Sequence, residues 1–113
     1  MTSQEKAPVF TIEVDAIINP ATAKFIIDSI DQATQQGAQC LIIQLDTPGG
    51  LMESMRIIVK KELASTIPII VYVAPGGARA ASAGVFVTMA ANIAVMAPGT
   101  HIGAAHPVTL GGG

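Results

Sequence analysis

The amino-acid sequence predicts an α/β fold with a mainly parallel sheet flanked by helices. Short apolar runs alternate with segments whose apolar residues recur at helical spacing, giving the predicted order βαβαβαβ. The strand-like runs contain few polar residues, which is typical of strands buried between crossover helices. With 113 residues, the chain is long enough for one small domain.

The first half of the chain gives two strands and one helix. Residues 9–14 alternate apolar and polar side chains, which predicts a half-buried strand. Asn19 and Pro20 are typical of a helix cap and a first helical position, and Gly37 is typical of a helix end. The short apolar run 41–45 predicts the second strand.

The second half continues the alternation. Apolar residues at helical spacing predict a helix over residues 52–63, with Met52 and Met55 in the core, and Pro68 lies beyond its end. Residues 69–73 and 93–96 are predicted to be buried strands. The small residues between them predict a helix over about 81–91.

The charge distribution limits the classes of function. Only 12% of residues are charged, against a typical share of about 25%, so part of the surface is expected to be covered by a partner or by further chain. The net charge of −2 gives no sign of the basic surface that nucleic-acid binding requires. Residues 80–97 carry no charge and approach the length of a membrane span, but their period changes partway along, and they contain polar residues and a glycine, which favours a buried helix followed by a buried strand: Ser82, Gly84, Thr88 and Asn92.

Two glycine-containing loops follow neighbouring strands, residues 46–50 and 75–82. Both leave the carboxyl ends of parallel strands, so we expect them at the same edge of the sheet, where ligand sites collect. Ser82 has small neighbours and opens a predicted helix. The N–H groups of Gly50 and Ala83 are candidate oxyanion donors, as acyl transfer to a serine requires.

Other interpretations of these side chains stay open. Ser82 alone is also typical of a helix cap. Asp46 is expected to stabilise its turn or cap the next helix, with substrate positioning as an alternative. Arg79 is expected either to pair with a carboxylate or to contact substrate.

No residue is a convincing general base for Ser82. His101 and His106 lie in a loop or short strand after Pro98, which is typical of loop or interface histidines, and no metal site is predicted there. A lysine base must be buried to be neutral, and none of the candidates has such a context: Lys6, Lys24, Lys60 and Lys61.

Four motifs in order closely resemble the NfeD family, membrane-bound serine proteases of the Clp-protease/crotonase fold. They are LDTPGG over residues 45–50, GARAASAG over 77–84, MAPGT over 96–100 and IGAAHPV over 102–108. The resemblance implies repeated ββα/βαβ units. It also implies an endopeptidase with a Ser-Lys dyad and no cofactor, in which Ser82 is the nucleophile and Gly50 and Ala83 form the oxyanion hole. Gly49, Gly50 and Gly77 would line the substrate.

The resemblance also implies partners and a location. The substrate would be an apolar segment of a stomatin-like membrane protein, and the protease domain would be an extracytoplasmic homodimer. This chain would itself be soluble, with membrane contact made by downstream segments. We expect residues 1–8 to be disordered or foreign to the natural protein, and 9–113 to be a partial protease domain. The family's lysine would lie beyond Gly113, so these residues alone are predicted to be inactive or nearly so.

Two other functions remain as alternatives. Crotonase-type acyl-CoA chemistry uses the same oxyanion geometry without a serine nucleophile, but expects an acidic residue that is not evident after Arg79. A scaffold domain would bind an apolar peptide or a stomatin-like partner without cleaving it.

Overall fold

The computed structural model describes residues 6–103. Four parallel strands form the main sheet in the order β1-β2-β3-β5, and two further parallel strands, β4 and β6, form a separate ribbon. The elements are β1 (Val9–Asp15), α1 (Pro20–Gln35), β2 (Cys40–Asp46), α2 (Met52–Ala64), β3 (Ile69–Val73), β4 (Arg79–Ala81), α3 (Ala83–Met89), β5 (Ile93–Met96) and β6 (His101–Gly103).

The predicted parallel α/β architecture is confirmed. Every strand pair in the main sheet is parallel, with Thr11 opposite Ile42, and Ile42 opposite Ile70. One face of β2 and β3 is fully buried and shares a core with α1 and α2, through Leu41, Ile43, Leu45, Ile69, Val71 and Val73. Their neighbours on the other face are only half-buried.

Local sequence signals fix the boundaries of α1. The Asn19 side chain accepts a hydrogen bond from the Thr22 N–H at 2.8 Å, and Pro20 is the first helical residue. Gly37 has a φ of +67°, the left-handed conformation common just after a helix. The predicted cap, start and end of this helix are all confirmed.

Two predictions about the second half are wrong in detail. The strand at 93–96 exists, but all four of its residues are exposed; β5 is an edge strand, paired only with β3 within residues 6–103. The helix after Ser82 is shorter than predicted, and it exposes Phe86 and Met89. No helix among the described residues combines the length and apolar character needed to cross a bilayer.

The strands β4 and β6 add two short elements. β4 was not predicted, because three residues of Arg-Ala-Ala carry no strand pattern, whereas β6 falls in the segment read as a loop or short strand. Arg79 lies opposite His101 in this ribbon, and Ala81 lies opposite Gly103. The ribbon places Ser82 directly after β4.

Candidate functional site

The two glycine-containing loops meet at one edge of the sheet, as the topology predicts. Thr47 bridges to β4: its N–H donates to the Arg79 carbonyl at 2.7 Å, and its own carbonyl accepts from the Ala81 N–H at 3.1 Å. The Asp46 side chain stabilises the other loop rather than capping α2, since its Oδ1 accepts a hydrogen bond from the Arg79 N–H at 3.0 Å.

Gly49 packs directly against Ser82. A Cβ atom at position 49 would lie 2.6 Å from the Ser82 Cβ and 3.2 Å from the Ala83 nitrogen. Gly49 also has a φ of +111°, which side-chain-bearing residues rarely adopt. Only glycine therefore lets the first loop approach the serine this closely.

Ser82 has an unusual backbone conformation. Its φ of 54° and ψ of −119° correspond to the first central position of a type II′ turn, which glycine normally occupies. It has the one positive φ of any non-glycine residue in the described part of the chain. Such strain costs on the order of 1–3 kcal/mol and is concentrated at functional sites.

The Ser82 side chain does not cap the helix that it precedes. It is exposed, and it makes no capping hydrogen bond to α3. Its main chain is held at both ends, because its N–H donates to the Gly103 carbonyl at 3.3 Å and its carbonyl accepts from the Val85 N–H at 2.9 Å. The turn therefore presents the hydroxyl to solvent on a fixed backbone.

Gly50 forms a parallel β-bridge with Ile18 in which the Gly50 N–H is not used. The Ile18 N–H donates to the Gly49 carbonyl at 2.7 Å, and the Ile18 carbonyl accepts from the Leu51 N–H at 2.8 Å. In this pairing the Gly50 N–H points away from Ile18. A Cβ at position 50 would overlap the main chain of Ile18.

The second candidate donor is the Ala83 N–H, in the first turn of α3. The first N–H groups of a helix have no partner within it. Across residues 6–103, neither the Ala83 N–H nor the Gly50 N–H donates to a protein acceptor. Two free donors therefore lie on the loops that meet at Ser82, an arrangement suited to a developing oxyanion.

Thr47 and Gly84 position the site, and the sequence reasoning missed both. Thr47 is fully buried, and its Oγ1 accepts a hydrogen bond from the Gly49 N–H at 3.1 Å. A Cβ at Gly84 would lie 2.6 Å from the Thr47 Cγ2, so glycine is needed for α3 to pack here. The available signal was the threonine two residues before a glycine, a spacing at which a hydroxyl can bond the main chain of a turn.

Gly77 contributes to the lining of a groove of about 290 Å³ along the β4–β6 ribbon. Arg79 and His101 contribute to the same lining. Arg79 makes no ion pair with any described residue, so the predicted carboxylate pairing is not observed. His106 lies outside the described residues.

The described lysines with ionic partners lie on helices α1 and α2. Lys24 contacts Asp28 at 2.8 Å, and the hydrogen bond to Asp28 raises the pKa of Lys24 above its ordinary value. Lys61 contacts Asp31 at 2.6 Å. Neither has the buried, unpaired setting of a lysine base. In residues 6–103, no group of three or more His, Cys, Asp or Glu side chains is placed to hold a metal ion.

Glu62 is a buried carboxyl group that the sequence reasoning did not identify. Its side chain lies on the buried face of α2 with Met55 and Ile58, and 3% of the residue is exposed. Neither carboxylate oxygen has a hydrogen-bond partner in the described structure. Burial raises the pKa of Glu62 to about 8. The sequence signal for its burial is its position four residues after Ile58, which places both side chains on the same face of the helix.

Comparison with known proteins places this geometry in a family. The model of the NfeD1b N-terminal domain matches residues 8–113. Membrane-bound protease PH1510 of Pyrococcus horikoshii is 49% identical over 76 residues, covering 67% of this chain and 17% of that protein. Membrane protein NfeD1b of Bacillus subtilis is 35% identical over 101 residues, covering 89% of this chain and 22% of that protein.

Solved structures show the same fold. A serine-to-alanine mutant of the 1510-N membrane-bound stomatin-specific protease superposes with a TM-score of 0.89 at 39% identity, covering 92% of this chain and 50% of that one. A lysine-to-alanine mutant of that protease, in complex with a substrate peptide, gives 0.88 at 41% identity, covering 91% and 47%. ClpP1 from Listeria monocytogenes, at 20% identity and a TM-score of 0.70 over 80% and 54%, shares the fold alone.

The chain therefore spans about half of these solved chains, and 17% and 22% of the two curated relatives. The Clp-protease-like fold implied by the sequence motifs is confirmed. By its family-model match and its relatives, the chain belongs to the NfeD1b N-terminal domain family.

Proposed function

We propose that this chain carries the nucleophile and the oxyanion hole of a serine endopeptidase. Ser82 is the nucleophile, and the N–H groups of Gly50 and Ala83 are the oxyanion donors. The observation that carries the proposal is the strained turn at Ser82, which packs against Gly49. The Ser82 hydroxyl on this turn is exposed and makes no capping hydrogen bond. Both candidate donors are free among the described residues.

The reaction follows from this geometry. Ser82 Oγ attacks the substrate's peptide carbonyl carbon and loses its proton to a base. The carbonyl oxygen becomes an oxyanion, which accepts hydrogen bonds from the Gly50 and Ala83 N–H groups. The amine then leaves with a proton, and water hydrolyses the acyl-enzyme. Loss of one oxyanion donor typically reduces the rate about 10²–10³-fold.

The base is proposed to be a lysine supplied from beyond Gly113, forming a Ser-Lys dyad with Ser82. A homologous protease has been solved as a serine-to-alanine mutant and as a lysine-to-alanine mutant with a substrate peptide. Both substitutions are consistent with functional serine and lysine residues in that protein. Residues 1–113 alone are accordingly proposed to be inactive or nearly so.

The substrate is proposed to be an apolar segment of a stomatin-like, membrane-associated protein. The similar solved protease is named stomatin-specific, and a curated relative is named membrane-bound. Gly49, Gly50 and Gly77 are proposed to line the substrate main chain. We further propose that the protease domain works as an extracytoplasmic homodimer.

Labelling with a serine-directed phosphonate tests the proposal. The full-length protein should be modified at Ser82, as located by mass spectrometry of its peptides, and Ser82→Ala should abolish that modification. Ser29→Ala is the matched control, because the Ser29 hydroxyl is engaged with the Phe25 carbonyl on α1. Absence of a label at Ser82 in folded full-length protein would refute the nucleophile assignment.

A further inference from the structure

Arg79 and His101 lie side by side on the β4–β6 ribbon. They are directly opposite each other in its parallel register, so both side chains leave the same face of the ribbon. The Cα atoms of neighbouring strands are about 5 Å apart. Both residues are exposed, and both line the groove of about 290 Å³. An arginine and a histidine therefore share one patch of the groove wall.

No described acceptor compensates this pair. Opposite charges stabilise a cross-strand pair, whereas a guanidinium carries five N–H donors and no acceptor. Within residues 6–103, neither Arg79 nor His101 forms an ion pair, and neither side chain makes a hydrogen bond. The carboxylate of Asp46 is bonded to the main-chain N–H of Arg79 and leaves the guanidinium unpaired.

Arg79 also stands alone in its part of the chain. Residues 65–103 contain no other Asp, Glu, Lys or Arg. The one formal charge of this long apolar stretch is thus placed in a groove, opposite a second donor residue, without an acceptor among the described residues. Local rules that are broken without local compensation are expected mainly at functional sites.

The groove leads from this pair to Ser82. Ala81 and Gly103, which are paired two residues further along the ribbon, also line it. Ala81 directly precedes Ser82, and the Gly103 carbonyl accepts a hydrogen bond from the Ser82 N–H at 3.3 Å. Two residues of a strand span about 7 Å and three span about 10 Å. An extended peptide bound at Ser82 can therefore bring a group two to four residues from its scissile bond to Arg79.

We propose that Arg79 and His101 form a subsite that binds a carboxylate of the substrate peptide, a few residues from the scissile bond. The inference rests on the proposed peptidase function, because Ser82 sets the position of the peptide. The planar guanidinium of Arg79 matches the two oxygens of a carboxylate, and a ring N–H of His101 supplies a further donor. The carboxylate belongs to an Asp or Glu side chain or to the C-terminus of the peptide.

Peptide specificity in the full-length protein tests this proposal. One set of otherwise apolar peptides carries Glu or Gln at each of the four positions on either side of the scissile bond. A second set ends at those positions with a free or an amidated C-terminus. The readout is the ratio of kcat/KM values within each matched pair. A preference for Glu identifies a side-chain carboxylate, and a preference for the free C-terminus identifies the chain end.

We expect the wild-type protein to prefer the carboxylate on the order of fivefold at one position. Arg79→Gln should abolish this preference, and His101→Gln should reduce it. Arg79→Glu should reverse it, so that a peptide with Lys at that position is cleaved faster than its Gln counterpart. Arg79→Gln keeps the main-chain N–H that bonds Asp46, and continued phosphonate labelling of Ser82 would show that the variant is folded.

Arg56→Gln is the matched control, because Arg56 is an exposed arginine on α2 and its loss changes the net charge equally. It should leave the ratio unchanged, and an equal loss in both variants would overturn the subsite. A wild-type protein that labels at Ser82 but shows no carboxylate preference, or keeps its preference in Arg79→Gln, would overturn the subsite and leave the proposed function standing. Failure of the wild-type protein to label at Ser82 would overturn both.

Discussion

The main-chain N–H of Arg79 donates a hydrogen bond to Asp46 Oδ1 at 3.0 Å, so the end of β2 holds the start of β4. Together with the Thr47 bridge, this contact fixes the strand that delivers Ser82. Asp46→Ala removes the acceptor. We expect a loss of about 1 kcal/mol in the free energy of unfolding and slower labelling of Ser82, measured by urea denaturation and by phosphonate labelling rates.

Asp46→Asn is the control for that contact. The Asn amide oxygen can accept the same bond without the negative charge, so labelling should stay near the wild-type rate. If Asp46→Ala and Asp46→Asn slow labelling equally, then charge, and not the tie between the loops, is the important property of Asp46.

Gly49→Ala tests the close approach of the first loop to Ser82. The added Cβ would meet the Ser82 Cβ at 2.6 Å on a backbone with a φ of +111°. We expect a loss of at least about 2 kcal/mol in the free energy of unfolding and little labelling of whatever protein remains folded. Thermal unfolding and labelling together measure this.

Gly37→Ala is the matched backbone control for Gly49→Ala. Gly37 also has a positive φ, at +67°, but an added Cβ would have no atom within 4 Å. It should lower stability by about 1 kcal/mol without affecting labelling per folded molecule. Normal labelling of folded Gly49→Ala would show that contact between position 49 and Ser82 is unimportant.

Glu62 makes folding stability depend on pH. Burial raises its folded-state pKa from an ordinary 4.5 to about 8. Its contribution to stability is fully present below pH 4.5, is lost progressively as pH rises to about 8, and then levels off. A shift of this size corresponds to at most about 5 kcal/mol.

Glu62→Gln should abolish this dependence, so the variant should gain stability relative to wild type as pH rises from 5 to 9. Urea denaturation across that range measures the difference. Glu53→Gln, on the exposed first turn of the same helix, should show no such trend. If Glu62→Gln changed the free energy of unfolding by the same amount at pH 5 and at pH 9, that result would contradict a buried neutral carboxyl at Glu62.

Ser82→Ala separates the peptidase from the acyl-CoA alternative. The substitution keeps the Cβ that packs against Gly49, so Tm should change by no more than a few degrees. Peptidase turnover of the full-length protein should fall on the order of 10³-fold or more. Thioester turnover that survives in Ser82→Ala would instead support crotonase-type chemistry.

Local signals in the sequence were sufficient for most of the fold. The Asn19 cap, the left-handed Gly37 and the short apolar runs of β2 and β3 all act through near neighbours. Parallel topology then placed the two glycine-containing loops at one edge. These features depend on the spacing of apolar residues and on the direction of the strands, both of which can be inferred from a single sequence.

Features set by tertiary contacts were not predictable in the same way. β4 exists because Thr47 and β6 pair with three residues that lack a strand pattern. Helical periodicity marked Met52 as core, although it lies one turn before Met55 and is exposed. The same periodicity puts Glu62 four residues after Ile58, on the buried stripe, but carboxyl groups are rarely buried without a partner, so its burial was not expected. The positive-φ backbone of Ser82 likewise depends on its neighbours in space.

The central claim is that main-chain donors from two loops converge on the oxygen formed when Ser82 reacts. The most direct measurement is a crystal structure of the full-length protein with a phosphonate bound covalently to Ser82. We predict a phosphoryl oxygen about 2.7–3.1 Å from the nitrogen atoms of both Gly50 and Ala83. An adduct at Ser82 whose phosphoryl oxygens accept a hydrogen bond from neither nitrogen would contradict the account.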